Sequence, residues 1–169
     1  MEERSMLDRM IGAALLDVAT YEEVESNEAL TKQAAAVVVI AALASGIGGA
    51  GGGSAGIIEG IVRAIAFWLL WAGITYVVGD KLLKGTATWG ELLRTLGYAQ
   101  APAVFMVLGI VPVLGGLVQV AVAIWLLVTG IVAVRQALDF GTGKAVLTAF
   151  LGWIVLIFLS AAWAGLIGL

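Results

Sequence analysis

Five apolar stretches, each long enough or nearly long enough to cross a bilayer, occupy this chain from about Gln33 to Leu169. A hydrocarbon core about 30 Å thick is crossed by roughly 20 apolar helical residues. No water reaches the backbone there, so a spanning segment must satisfy its own N–H and C=O groups. The expected fold is an all-α polytopic membrane helix bundle with five transmembrane helices plus interfacial amphipathic helices. Charge agrees: 12% of the residues are charged, against about 25% in soluble domains. The spans are expected at about 31–47, 61–78, 101–114, 117–134 and 145–169. They form one membrane domain over residues 31–169, behind an N-terminal segment of residues 1–30.

That segment is acidic: residues 1–32 hold eight acids and three bases. An acidic tail does not favour nucleic acid or anionic headgroups. The first residues lack the basic start and small-residue cleavage site of a secretory signal peptide. Residues 4–18 carry Leu7, Met10, Ile11, Ala14, Leu15 and Val18 on one helical face, with Ser5, Arg9 and Gly12 opposite. This helix is too short to span, and is expected in the interface plane or against the bundle. Thr20 and Glu23 have the spacing of a capping box, and Asn27 can cap the helix after it.

Residues 46–56 are glycine-rich and contain a formal GxGxxG at Gly46, Gly48 and Gly51. The dinucleotide fingerprint requires a strand before it and a βαβ unit around it. The end of a membrane span offers neither, so this segment reads as an inter-helix loop or a thin backbone-packing patch. Thr88 and Glu91 form another capping-box pair. They open an amphipathic segment, Trp89–Ala99, expected to lie at the interface with Glu91, Arg94 and Thr95 turned outward. Pro102 then stands in the first turn of a short third span, where its missing N–H costs little. Gly109 and Pro112 interrupt that span, and Gly115-Gly116 are expected to make the hairpin into the fourth.

Loop charges orient the bundle. With the N-terminus in the cytoplasm, the tail, second loop and fourth loop carry eight bases, and the opposite side carries Arg63 alone. The positive-inside rule favours that arrangement, which puts the C-terminus outside.

Catalysis would need polar groups gathered in or beside the membrane. The chain has no His and no Cys, which removes imidazole and thiolate metal sites and His-ligated haem. No two carboxylates converge in sequence, so no general base is indicated. No cofactor is expected. Glu59/Arg63 and Arg135/Asp139 are each four apart and suit solvated or interfacial helical pairs. Glu91 and Arg94 read as surface charges, and Gln119 as an interhelical hydrogen-bond partner. Tyr98, Pro102 and Pro112 fit either a partner or lipid surface or, preferably, the setting of helix angle around a broken span. Ala161/Gly165 and Ala164/Gly168 are small-xxx-small pairs that permit close packing, within the chain or against another subunit.

The segment Leu96-Gly97-Tyr98-Ala99-Gln100-Ala101-Pro102 resembles the Gly-Tyr…Pro signature of the Yip family, the Ypt/Rab-interacting membrane proteins. Ile110–Val118, Ile124-Trp125, Ala133–Leu138 and the opening Arg9–Leu16 with Thr20–Val24 look like its bacterial branch. The resemblance covers nearly the whole chain. It implies five helices and a cytoplasmic N-terminus, here in a bacterial inner membrane. The Asp-Leu-Tyr-Gly-Pro motif of eukaryotic members is not found, which puts GTPase binding in doubt. The expected function is that of a non-enzymatic scaffold acting through helix contacts, with membrane lipids and other membrane protein subunits as partners. An accessory subunit of a larger complex and a small transporter or channel are the alternatives.

Overall fold

The first helix is fixed by its cap. In this computed structural model, residues 4–49, 54–111 and 113–166 are described, with side chains for all of these except 54–55, 156–157 and 159–166. The Asp8 N–H donates to the Ser5 hydroxyl and the Ser5 N–H to the Asp8 carboxylate, opening α1, Met6–Ala14. Leu16, at φ 64, reverses the chain into α2, Val18–Ser26. Here the expected start at Thr20 is corrected. Asp17 is the N-cap residue, and the Thr20 hydroxyl donates back to its carboxylate at 2.6 Å. Glu23 cannot complete a box, because its carboxylate is held by Arg4 and Arg9. Asn27 does cap the turn Glu28–Leu30, accepting from the Ala29 N–H.

The outward part of the apolar stripe of α1 does not pack against the bundle, one of its two expected placements, and is left for the interface plane. Leu7, Ile11 and Leu15 are 63%, 50% and 70% exposed, whereas Arg9, Gly12 and Ala13 are buried. Arg9 turns inward because Glu23 and Gln33 meet it there. Gly12 lets α1 close on Thr20, whose hydroxyl occupies the space a side chain would need.

The long helices follow. α3 is Thr31–Gly48 and α4 is Ser54–Thr75, continued by a π-helical segment, Tyr76–Leu82. The glycine-rich connection is therefore shorter than expected: Gly46 and Gly48 are helical, and Gly51 lies outside the described residues. α5 is Trp89–Tyr98, opened by the Thr88–Glu91 capping box, and Ala101–Ile110 winds as a 3-10 helix. Ten 3-10 residues rise about 20 Å, where an α-helix would rise about 15 Å, so the tighter winding lengthens this stretch of the chain. α6 is Leu114–Ala137 and α7 is Thr142–Leu166. Gly115 and Gly116 lie inside α6, so the hairpin turns two residues earlier than expected, with Val113 at φ 71. Gly115 is needed for close packing, because a Cβ there would stand 2.8 Å from the Gly109 carbonyl oxygen.

Glu28–Gly48, Gly56–Leu82, Trp89–Ile110 and Leu114–Ala137 are long and apolar enough to cross a membrane, and Thr142–Val155 is a shorter apolar helix. The all-helical, roughly five-span plan holds, and no strand occurs among the described residues. The third span differs from the expected one because α5 belongs to it. Arg94 and Thr95 are 4% and 0% exposed, not turned outward.

α3 packs on α5 and on the 3-10 helix with glycine at three close points. A Cβ on Gly48 would fall on the Met106 carbonyl, one on Gly109 would lie 2.7 Å from the Gly48 carbonyl oxygen, and one on Gly97 would lie 2.8 Å from Ala34 Cβ. Val37, Leu92, Tyr98, Val134 and Leu138 fill the core beside this crossing. Outward faces carry Val62, Leu69, Leu117, Val120 and Ile124, all exposed and apolar, as lipid contact requires. Gly48→Ala and Gly97→Ala should each destabilise the bundle by about 1–3 kcal/mol, the usual cost of overpacking. Gly73→Ala, where a Cβ meets nothing within 4 Å, should be neutral. Thermal unfolding in detergent checks both halves of the comparison.

Candidate functional site

Among the described residues, polar side chains gather where the N-terminal helices meet the long ones and again at the end of α2, and in both places they fasten helices. The first lies where α1 and α2 fold onto the long helices. Arg9 Nε donates to Glu23 Oε1 at 2.7 Å, and Arg4 Nη1 donates to Glu23 Oε2 at 3.1 Å. Arg9 Nη1 reaches Gln33 Oε1 at 3.4 Å, and the same oxygen accepts from the Tyr98 hydroxyl at 2.8 Å. Arg9 is 3% exposed. A guanidinium so deeply buried is tolerable only when paired and hydrogen-bonded. Gln33 thus links the N-terminal helices to the third span.

The second place is the end of α2. Arg94 Nε donates to the carbonyls of Val24 and Glu25 at 3.0 and 3.1 Å, and Nη2 also binds the Glu25 carbonyl. These are carbonyls of the last turn of α2, where the helix dipole is negative and a cation is favoured. Beside them stands a group of carboxylates. Burial first, then the charges of Glu91, Asp139 and Glu22, push the Glu25 carboxyl up to about 7, against the opposing pull of Arg94.

Further hydrogen bonds tie the helices through main-chain carbonyls. Trp125 Nε1 donates to Ala14 at 2.7 Å, Trp68 Nε1 to Leu93 at 3.0 Å and the Thr129 hydroxyl to Ala99 at 2.9 Å. The Tyr21 hydroxyl donates to Ala13 at 3.0 Å, and desolvation holds its proton on well above the ordinary phenol range. Among the described residues, no group of His, Cys, Asp or Glu could hold a metal ion.

Tyr98 is fully buried in this fold and Pro102 is buried beside it. Pro112 and Gly168 lie outside the described residues, and Ala161, Ala164 and Gly165 are on the last turns of α7, whose side chains are not described. The expected helical pairs do not form. Glu59 and Arg63 are both exposed without an ion pair among the described residues, and Asp139 accepts from Thr86 at 2.7 Å instead of meeting Arg135. Gln119 is exposed, and makes no interhelical bond among the described residues. Arg94, expected at the surface, is a buried anchor. Sequence reasoning missed Gln33, Trp125 and Thr129. Their signal was a lone polar or amphipathic side chain in an apolar span, which does not say which helix it meets.

The family model described as Yip1 domain matches residues 15–164. No curated protein and no solved structure matches the chain.

Glu25 sets the pH response of this region. Its raised pKa means that the folded protein keeps a proton the unfolded chain releases above about 4.5. The associated stability is full below that value and is lost as pH rises through about 7. Glu25→Gln should therefore flatten the decline of the thermal midpoint between these pH values. An unchanged slope would remove Glu25 from the account.

Proposed function

The chain belongs to the Yip1 domain family, and from that premise we propose that it is a non-enzymatic scaffold of the cytoplasmic membrane. It acts through helix surfaces that receive other membrane proteins. The observation that carries this reading is the use made of polar groups. Arg9, Arg94, Trp68, Trp125 and Thr129 are engaged in joining one helix to another. A chemical centre would need such groups turned toward a common substrate position.

The proposed topology has a cytoplasmic N-terminus and an outer C-terminus in a bacterial inner membrane. The eight-to-one division of bases supports the orientation. So does the bond from Arg94 to the α2 carbonyls, which puts a base of the third span beside the N-terminal segment. Because Tyr98 and Pro102 lie inside the fold, the proposed partner surface is the Ala161, Ala164, Gly165 and Gly168 stripe of the fifth span. Small residues at that spacing allow close helix approach.

The chain has no Cys, so single substitutions report topology directly. Ser54→Cys should react with an impermeant maleimide from outside, and Thr142→Cys should not; the reverse pattern contradicts the orientation. For the scaffold itself, Gly165→Leu should change native-gel migration and remove co-purifying membrane proteins, while Glu59→Gln changes neither. Wild-type assembly in Gly165→Leu, combined with a transport or enzymatic activity lost in Glu59→Gln, would overturn the scaffold reading.

A further inference from the structure

Two cavities adjoin along α4. The first, about 440 Å³, lies between α3, α4 and the start of the 3-10 helix and is edged by Ser45, Arg63 and Gln100. The second, about 750 Å³, lies between α4, α5, α6 and α7 and is walled by Trp71, Ile124, Ile131, Phe150 and Trp153. Phe67, Gln100 and Leu126 border both. Each has the volume of an ordinary ligand site, roughly 300–1,000 Å³. Together they make one groove that is cationic at one end and apolar at the other.

Arg63 is the feature that needs explaining. A charged side chain within a span is costly and ordinarily has a partner. Glu59, one turn away, does not supply it, and no carboxylate among the described residues forms an ion pair with Arg63. From Ser54 to Arg63 the helix rises about 13 Å, and from Ser54 to Leu82 about 42 Å. Centred on a hydrocarbon core of about 30 Å, that helix puts Arg63 about 7 Å beneath one boundary, within reach of a side chain that snorkels. Its side chain, extended outward, points to the phosphates of the leaflet facing away from the N-terminal helices. A guanidinium presents a planar fork of donors that suits phosphate in particular.

We propose that this groove binds one anionic glycerophospholipid, with Arg63 on its phosphate and an acyl chain in the apolar cavity. The direction is consistent. From Arg63, the groove passes Phe67 and Trp71 along α4 toward Leu82, which is toward the bilayer middle, where an acyl chain from that leaflet must run. Gly56 and Gly60 border the cationic end, and among the described residues neither would meet an atom within 4 Å if given a Cβ. A zwitterionic lipid would fill the apolar part equally well but would not neutralise the guanidinium. The site is additional to the scaffold reading and stands or falls separately from it.

The full-length protein, purified in mild detergent, would be titrated with phosphatidylglycerol and separately with phosphatidylcholine. Native mass spectrometry counts the lipids retained per chain. The wild type should hold one phosphatidylglycerol about tenfold more tightly than phosphatidylcholine, and excess inorganic phosphate should not displace it. Arg63→Gln should bring the two lipids to parity. Gly130→Leu, which projects into the apolar cavity where a Cβ meets nothing within 4 Å, should weaken both at an unchanged thermal midpoint. Equal retention of the two lipids by the wild type, or undiminished selectivity in Arg63→Gln, overturns the headgroup assignment. Full retention in Gly130→Leu overturns the acyl seat, and displacement by inorganic phosphate overturns the choice of a lipid.

Discussion

Everything in this bundle is arranged around the approach of α3 to α5 and the 3-10 helix. Lipid tails are as apolar as Leu and Val side chains, so burial from water does not drive helices together inside a bilayer. Close backbone packing does, and it needs residues without side chains. Gly48, Gly97 and Gly109 supply these at successive levels of one interface, against Met106, Ala34 and Gly48 in turn. With α5 and the 3-10 helix both packed on α3, Trp89–Ile110 crosses as one span, and its 3-10 half rises further per residue than an α-helix would.

Hydrogen bonds then lock what packing brings together. Gln33 on α3 joins Tyr98 on α5 and Arg9 on α1 through a single carbonyl oxygen. Arg94 closes the end of α2. Trp125 and Thr129, four residues apart on α6, reach the end of α1 and the end of α5. An unpaired polar group costs more in a medium of low dielectric than in water, so each of these bonds fixes register as well as adding stability. The N-terminal helices are accordingly an integral layer of the bundle. The outward stripe Leu7, Ile11 and Leu15 of α1 is left for the surrounding lipid.

The existence of the spans was legible because an apolar run of spanning length has few other uses. Caps were legible where only one arrangement of neighbours competes, as at Thr88–Glu91 and Asn27. They failed at Thr20, where Arg4 and Arg9, distant in sequence, claim Glu23. Helical periodicity gave the two faces of α1 but not which of them turns inward, because in a membrane protein the apolar face can look outward. The same ambiguity hid Arg94: a charge on an amphipathic helix looks solvated until the helix end it caps is known. Glycines were counted as turn formers at 115–116, where they sit within α6, and as loop or backbone-packing patch at 46 and 48, where both are helical and Gly48 serves close packing. Small residues in spans announce proximity without naming the neighbour. The groove beside Arg63 depends on α3 through α7 together and leaves no mark in any one of them.

Hydrogen exchange of the full-length protein in detergent, followed by mass spectrometry, tests the central crossing most directly. If glycine packing joins α3 to the third span, residues 31–48 and 101–110 open as one cooperative unit. Gly97→Ala should then speed exchange in both segments together while residues 142–155 keep their wild-type protection. If Gly97→Ala releases 101–110 and leaves 31–48 unchanged, the two elements are held independently and the crossing does not organise the bundle.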